Sequence, residues 1–117
     1  MKNSAKLKDN LQYIAAGEEY STRQKHVNAP LFRKEFSTEG KPKIAVLRIA
    51  CVGFYRLFLN GKEITKGYLA PYISNCNDTV YYDDYEVSGL LCADNVLCVT
   101  LGNGFANATD FNIWQFE

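Results

Sequence analysis

Residues 43–64, KIAVLRIACVGFYRLFLNGKEI, constrain the fold more than any other part of the chain. Apolar residues recur there with period two, as on a strand that buries one face. Ala45, Leu47, Ile49 and Cys51 fall on one side, with Ile44, Val46, Arg48 and Ala50 on the other. A helix, whose side chains repeat about every 3.6 residues, would scatter that pattern around its circumference. Gly53 interrupts the run, and a glycine inside a strand pattern marks a bulge or bend. Two strands are therefore expected to meet near Val52 and Gly53. Asn60-Gly61 then separates two extended runs, and both residues tolerate the positive φ of a type I′ hairpin turn. Leu57 and Leu59 before the turn are expected to pair with Ile64 after it.

The rest of the chain has the same texture. LFRKEF alternates, with Phe32, Lys34 and Phe36 on one face and Leu31, Arg33 and Glu35 on the other. Residues 37–42 carry Gly40 and Pro42 and read as a loop. YLAPYISNCNDT reads as a long irregular connection, because Pro71 and the polar cluster from Ser74 to Thr79 exclude a central strand. VYYDDYEVSGLL alternates again, and Gly89 with Asp94-Asn95 bounds a short apolar turn before a strand over residues 96–101. VLCVTL is apolar on both faces apart from Thr100, so it belongs in the middle of a sheet. GNGFANATDF is a Gly/Asn-rich loop, followed by NIWQFE. Many short strands, turn signals between them and no amphipathic helix beyond the first 28 residues predict an all-β, antiparallel β-sandwich of jelly-roll kind. Residues 1–28 are polar and uneven, and are expected to form a leader that is loosely ordered or adds one peripheral strand or short helix. Residues 29–117 are expected to form the sandwich.

Composition removes several classes of function. With 117 residues the chain makes one domain, long enough to bury a core without disulfides or a metal. Thirteen Lys plus Arg balance thirteen Asp plus Glu, so no electrostatic footprint for nucleic acid or an anionic membrane is present. The longest apolar run, residues 44–47, is far short of the ~18 that a membrane span needs. The first twenty residues lack the apolar core and cleavage site of a secretory signal, which predicts a cytoplasmic chain. Cys51, Cys76, Cys92 and Cys98 form no CxxC pair and have one histidine to join them, so they are read as reduced thiols and not as a zinc site. His26 lies in the leader with no Ser or Cys motif beside it, and no Gly-rich nucleotide motif opens a helix.

Several motifs recur in a recognisable order: Arg33-Lys34-Glu35-Phe36, the Gly-x-Tyr-x-x-x-x-Asn-Gly of residues 53–61, and Leu69-Ala70-Pro71. They continue with Tyr82-x-x-Tyr85-Glu86-Val87, Asn95-x-Leu97 and Gly102-Asn103-Gly104-Phe105. In this order, over about residues 29–116, they resemble the N-terminal β-sandwich domain of bacterial α-L-rhamnosidases, the family-78 glycoside hydrolases. Glu86 stands where that family usually has Asp, and Phe105 where Trp is common. The resemblance implies that the acid and base carboxylates belong to an (α/α)₆ barrel outside these residues, so the chain is expected to be non-catalytic. It also implies a candidate carbohydrate-binding module, since some members bind L-rhamnose and a calcium ion on a domain of this type.

Candidate residues follow from that expectation. Glycoside hydrolysis needs two carboxylates across the scissile bond. Asp83 and Asp84, adjacent on a strand, point to opposite faces and cannot form that pair. Calcium takes six to eight oxygen ligands. Asn75, Asn77 and Asp78 in one loop, and Asn107 and Asp110 in another beside Asn103, supply suitable groups. Turns use the same residue types for local capping without any metal. Sugar sites combine polar groups with an amphipathic ring that packs on the C–H face of the sugar, which nominates Tyr68, Tyr72, Trp114 and Asn103. Phe32, Phe36, Phe54, Phe58 and most of Tyr81, Tyr82 and Tyr85 are read as core or cross-strand residues. The expected partners are a rhamnoside-type carbohydrate and the rest of a rhamnosidase. A rival expectation is a structural fragment that binds no ligand and forms a homodimer through an open sheet edge.

Overall fold

Alternation along each strand decides which of its sides is buried. In the computed structural model, which describes residues 12–19, 24–75 and 78–102, six strands form. They are β1 (Leu31–Ser37), β2 (Val46–Ala50), β3 (Phe54–Leu59), β4 (Lys62–Glu63), β5 (Tyr82–Glu86) and β6 (Asp94–Gly102). A 3-10 turn at Ser88–Leu90 is the one helical segment among the described residues, and no described helix is long and apolar enough to cross a membrane. All pairings are antiparallel. One sheet has the order β1-β6-β3-β4 and the other is β2-β5, which together make the expected β-sandwich. β6 lies between β1 and β3, the interior position that its two apolar faces require.

The core is the space between the sheets. Tyr55, Leu57 and Leu59 project from β3 and are essentially fully buried, facing Tyr85 of β5. Leu47 and Ile49 of β2, Leu97, Val99 and Leu101 of β6 and Phe36 of β1 pack around them. Burying each leucine contributes about 1.5–3 kcal/mol. Cys51, Val87 and Ala70 close the ends of this cluster. No disulfide joins Cys51, Cys92 or Cys98, and Cys76 lies outside the described residues.

The turn after β3 is type I′, with φ of 51° at Asn60 and 78° at Gly61. The Ile64 N–H donates to the Leu57 carbonyl at 2.9 Å, as the alternation predicts, but Leu59 faces Lys62 and not Ile64. A two-residue turn makes 59 and 62 the closing pair, so only Leu57 meets the next apolar residue. β6 begins two residues earlier than expected, because Asp94 pairs with Ser37 and accepts a 2.8 Å hydrogen bond from its hydroxyl. The bend near Gly53, where φ is 116°, passes the chain from one sheet to the other, so β2 and β3 are consecutive yet not neighbours. Residues 12–19 and 24–30 contain neither strand nor helix, and most of them are exposed.

Candidate functional site

The connection from β4 to β5 leaves the sandwich and bridges back to β3 at Ala70. Ala70 forms an isolated bridge with Tyr55, whose N–H donates to the Ala70 carbonyl at 2.9 Å. Ala70 and Pro71 are buried, while the pairs on either side turn outward. Tyr68 is 100% exposed, Leu69 66%, Tyr72 71% and Ile73 60%. Four large apolar side chains thus surround a buried anchor. Isolated exposed apolar residues are ordinary, whereas four large ones within six residues make this loop a candidate contact surface.

The near end of this loop is held by a polar network that crosses between the sheets. The Tyr55 hydroxyl donates to Asp83 Oδ2 at 2.5 Å and lies 2.8 Å from the Tyr85 hydroxyl. Burial first, then the hydrogen bonds to Asp83 and Tyr85, hold the Tyr55 hydroxyl well above the usual phenol range. The Lys66 N–H donates to the Tyr85 hydroxyl at 3.1 Å, and the Lys66 ammonium donates to the Asp84 carbonyl and lies 4.8 Å from the centre of the Tyr85 ring. Asp84 faces the other way from Asp83 and accepts a two-pronged pair of 2.7 Å hydrogen bonds from Arg48. That contact keeps the Asp84 carboxyl below the usual carboxylate range. The Arg48 guanidinium also lies 4.2 Å from the centre of the Tyr82 ring, and the Tyr82 hydroxyl is buried without a hydrogen-bond partner. Both aspartates are therefore committed to neighbours on opposite faces and form no convergent acid pair.

A second network fixes the hairpin to β6. Buried Asn95 accepts from the Cys92 N–H at 2.8 Å and from Asn60 Nδ2 at 2.9 Å, and donates to the Cys92 carbonyl at 2.8 Å. Asn60 Nδ2 also donates to the Leu90 carbonyl at 2.9 Å, and its Oδ1 accepts from the Val96 N–H at 2.9 Å. Every hydrogen-bonding atom of these two amide side chains is engaged inside the fold. Sequence reasoning missed both networks, although Tyr55, Tyr85, Asn60 and Asn95 all stand in the quoted motifs. Those motif residues hold the sandwich together.

At the far end of the loop, Asn75 Nδ2 donates to Asp78 Oδ2 at 2.9 Å, while the Asn75 carbonyl accepts from the N–H groups of Asp78 and Thr79. This is the geometry of a capped turn. Of the nominated residues, Tyr68, Tyr72, Asn75 and Asp78 share one loop. Asn77, Asn103, Asn107, Asp110 and Trp114 lie outside the described residues. Among the described residues no three His, Cys, Asp or Glu side chains gather as a metal-holding group.

Comparison with known proteins matches these features to one family. A family model described as the alpha-L-rhamnosidase N-terminal domain matches residues 40–114. The chain is 33% identical over 78 residues to an alpha-L-rhamnosidase of Formosa agariphila, a match covering 66% of this chain and 8% of that protein. Among solved structures it is similar to the alpha-L-rhamnosidase from Dictyoglumus thermophilum, with a TM-score of 0.64 and 38% identity over 71% of this chain and 10% of that one. The native alfa-L-rhamnosidase from Aspergillus terreus gives a TM-score of 0.58 and 27% identity, over 68% of this chain and 10% of that one. The chain thus spans about a tenth of the length of the relatives it matches.

Proposed function

This chain belongs to the alpha-L-rhamnosidase N-terminal domain family, and from that we propose that it is a non-catalytic module that recognises a rhamnoside-type sugar or packs against the other domains of such a glycoside hydrolase. One observation carries the reading: Tyr68, Leu69, Tyr72 and Ile73 are held outward on both sides of the buried Ala70 anchor. Two tyrosine rings offer flat apolar faces for the C–H surface of a sugar, with hydroxyls free to meet its polar edge. Leu69 and Ile73 between and beside them suit an apolar contact, whether a sugar's methyl group or a neighbouring domain. In this reading Asn75 and Asp78 supply polar contacts, and calcium would draw on their oxygens together with those of Asn77, Asn107 and Asp110.

The test is calorimetric titration of the full chain with L-rhamnose, once with calcium and once with a chelator. Binding heat that calcium strengthens and Tyr68→Ala abolishes is the expected result. Absence of heat at millimolar sugar in both buffers would remove sugar recognition and leave the packing role alone.

A further inference from the structure

Among the described residues the two sheets have four outer edges, and three of them are closed to further pairing. β1 carries exposed Lys34, an uncompensated charge beside the Arg33–Glu35 ion pair. β4 is two residues long, and both Lys62 and Glu63 are charged and exposed. β5 has Lys66 donating to the outward carbonyl of Asp84. Charge, shortness and a covering side chain are the means by which sheets avoid edge-to-edge association.

The outer edge of β2 lacks them. The Val87 N–H donates to the Ala45 carbonyl at 2.9 Å, which makes the next pair, Val46 and Glu86, a non-hydrogen-bonded one in the register of β2 on β5. By alternation, the N–H and C=O groups of Val46, Arg48 and Ala50 then point away from β5. No other described strand pairs with that side. Ile44 is 81% and Val46 56% exposed beside it. Arg48 is the one charge within the strand, and Asp84 already neutralises it through a two-pronged contact. The edge is extended, apolar and without an uncompensated charge.

We propose that this edge docks a second copy of the chain, β2 against β2, antiparallel about a two-fold axis through Leu47. In that register Ile44 opposes Ala50 and Val46 opposes Arg48, so all of residues 44–50 pair and no like charges meet. A register centred on Arg48 sets two guanidinium groups against each other, which is unfavourable. The inner face of the joined sheet sets Leu47 on Leu47 and Ala45 on Ile49, extending the apolar layer across the axis. A two-fold interface uses the same patch twice, and equal numbers of positive and negative side chains leave no net repulsion between copies. This surface is separate from the loop at Tyr68 and does not depend on sugar recognition.

Sedimentation velocity of the full chain over a range of concentrations tests it. The expected result is a concentration-dependent dimer. Val46→Pro removes an N–H that faces outward, a substitution that edge positions tolerate, and returns the chain to monomer with an unchanged circular dichroism spectrum. Val46→Lys, at an exposed site where folding is not at stake, sets lysine against arginine twice and weakens the dimer roughly tenfold. A chain that stays monomeric at every concentration overturns the proposal, as does a dimer indifferent to Val46→Lys. A monomer whose Val46 and Arg48 amides resist hydrogen exchange also overturns it, since its own residues then cover the edge.

Discussion

The hydroxyl of Tyr55 reaches from one sheet to the other. It donates to Asp83 and adjoins the Tyr85 hydroxyl, both on β5. Tyr55→Phe keeps the ring and removes the donor, leaving a half-buried carboxylate without its partner. A stability loss of about 1–3 kcal/mol is expected, read as a lower urea midpoint with an unchanged slope. Asn95→Ala should cost more, about 3 kcal/mol, because it strands the Cys92 N–H and carbonyl and one Asn60 contact together. The sequence reading placed Tyr55 on a strand and in the Gly-x-Tyr motif, and Asn95 at a turn and in the Asn-x-Leu motif, without assigning either a partner. Burial and inward direction follow from local alternation, whereas a hydroxyl's partner 28 residues away depends on how the two sheets meet. The exposure of Tyr68 and Tyr72 was legible, since Pro71 and the polar residues after it rule out a strand. The anchoring role of Ala70 was not, because an alanine in a loop carries no pattern.

At the scale of elements, the features set by near neighbours were readable and those set by distant ones were not. The Asn60-Gly61 hairpin, the central place of β6 and the break at Gly53 all follow from residues within a few positions of each other. That β2 and β3 part into different sheets follows from how apolar faces find each other across the molecule. The hairpin permits a clean test of backbone strain. A Cβ at Gly61 would meet nothing within 4 Å, yet φ there is +78°. Gly61→Ala should therefore destabilise by about 1–2 kcal/mol without any clash. Thermal melting compared with Gly89→Ala, where φ is not positive and space is also open, separates strain from other effects.

For the whole molecule, titration on each side of neutrality should set the pH range of stability. The carboxyls of Asp84, Glu63 and Glu86 are lowered from ordinary values of 3.8, 4.5 and 4.5 by hydrogen bonds from Arg48, Arg56 and Ser88. A lowered carboxyl contributes stability that is present above its unfolded value and lost as pH falls. Tyr55 is raised from 10.0, so its contribution is complete below that pH and is lost as pH climbs past it. The urea midpoint is expected to be level between about pH 5 and pH 10 and to decline on both sides, the acid side gently because those pairs are exposed. Tyr55→Phe should flatten the alkaline decline and leave the acid one alone. The bridge at Ala70 has a further consequence, for how such a molecule changes over generations. Because the backbone bridge at Ala70, buried Pro71 and the contacts of Lys66 hold the loop, the four exposed side chains beside that bridge can be exchanged at little cost to the interior. A lineage can revise what this surface touches while the sandwich behind it stays the same.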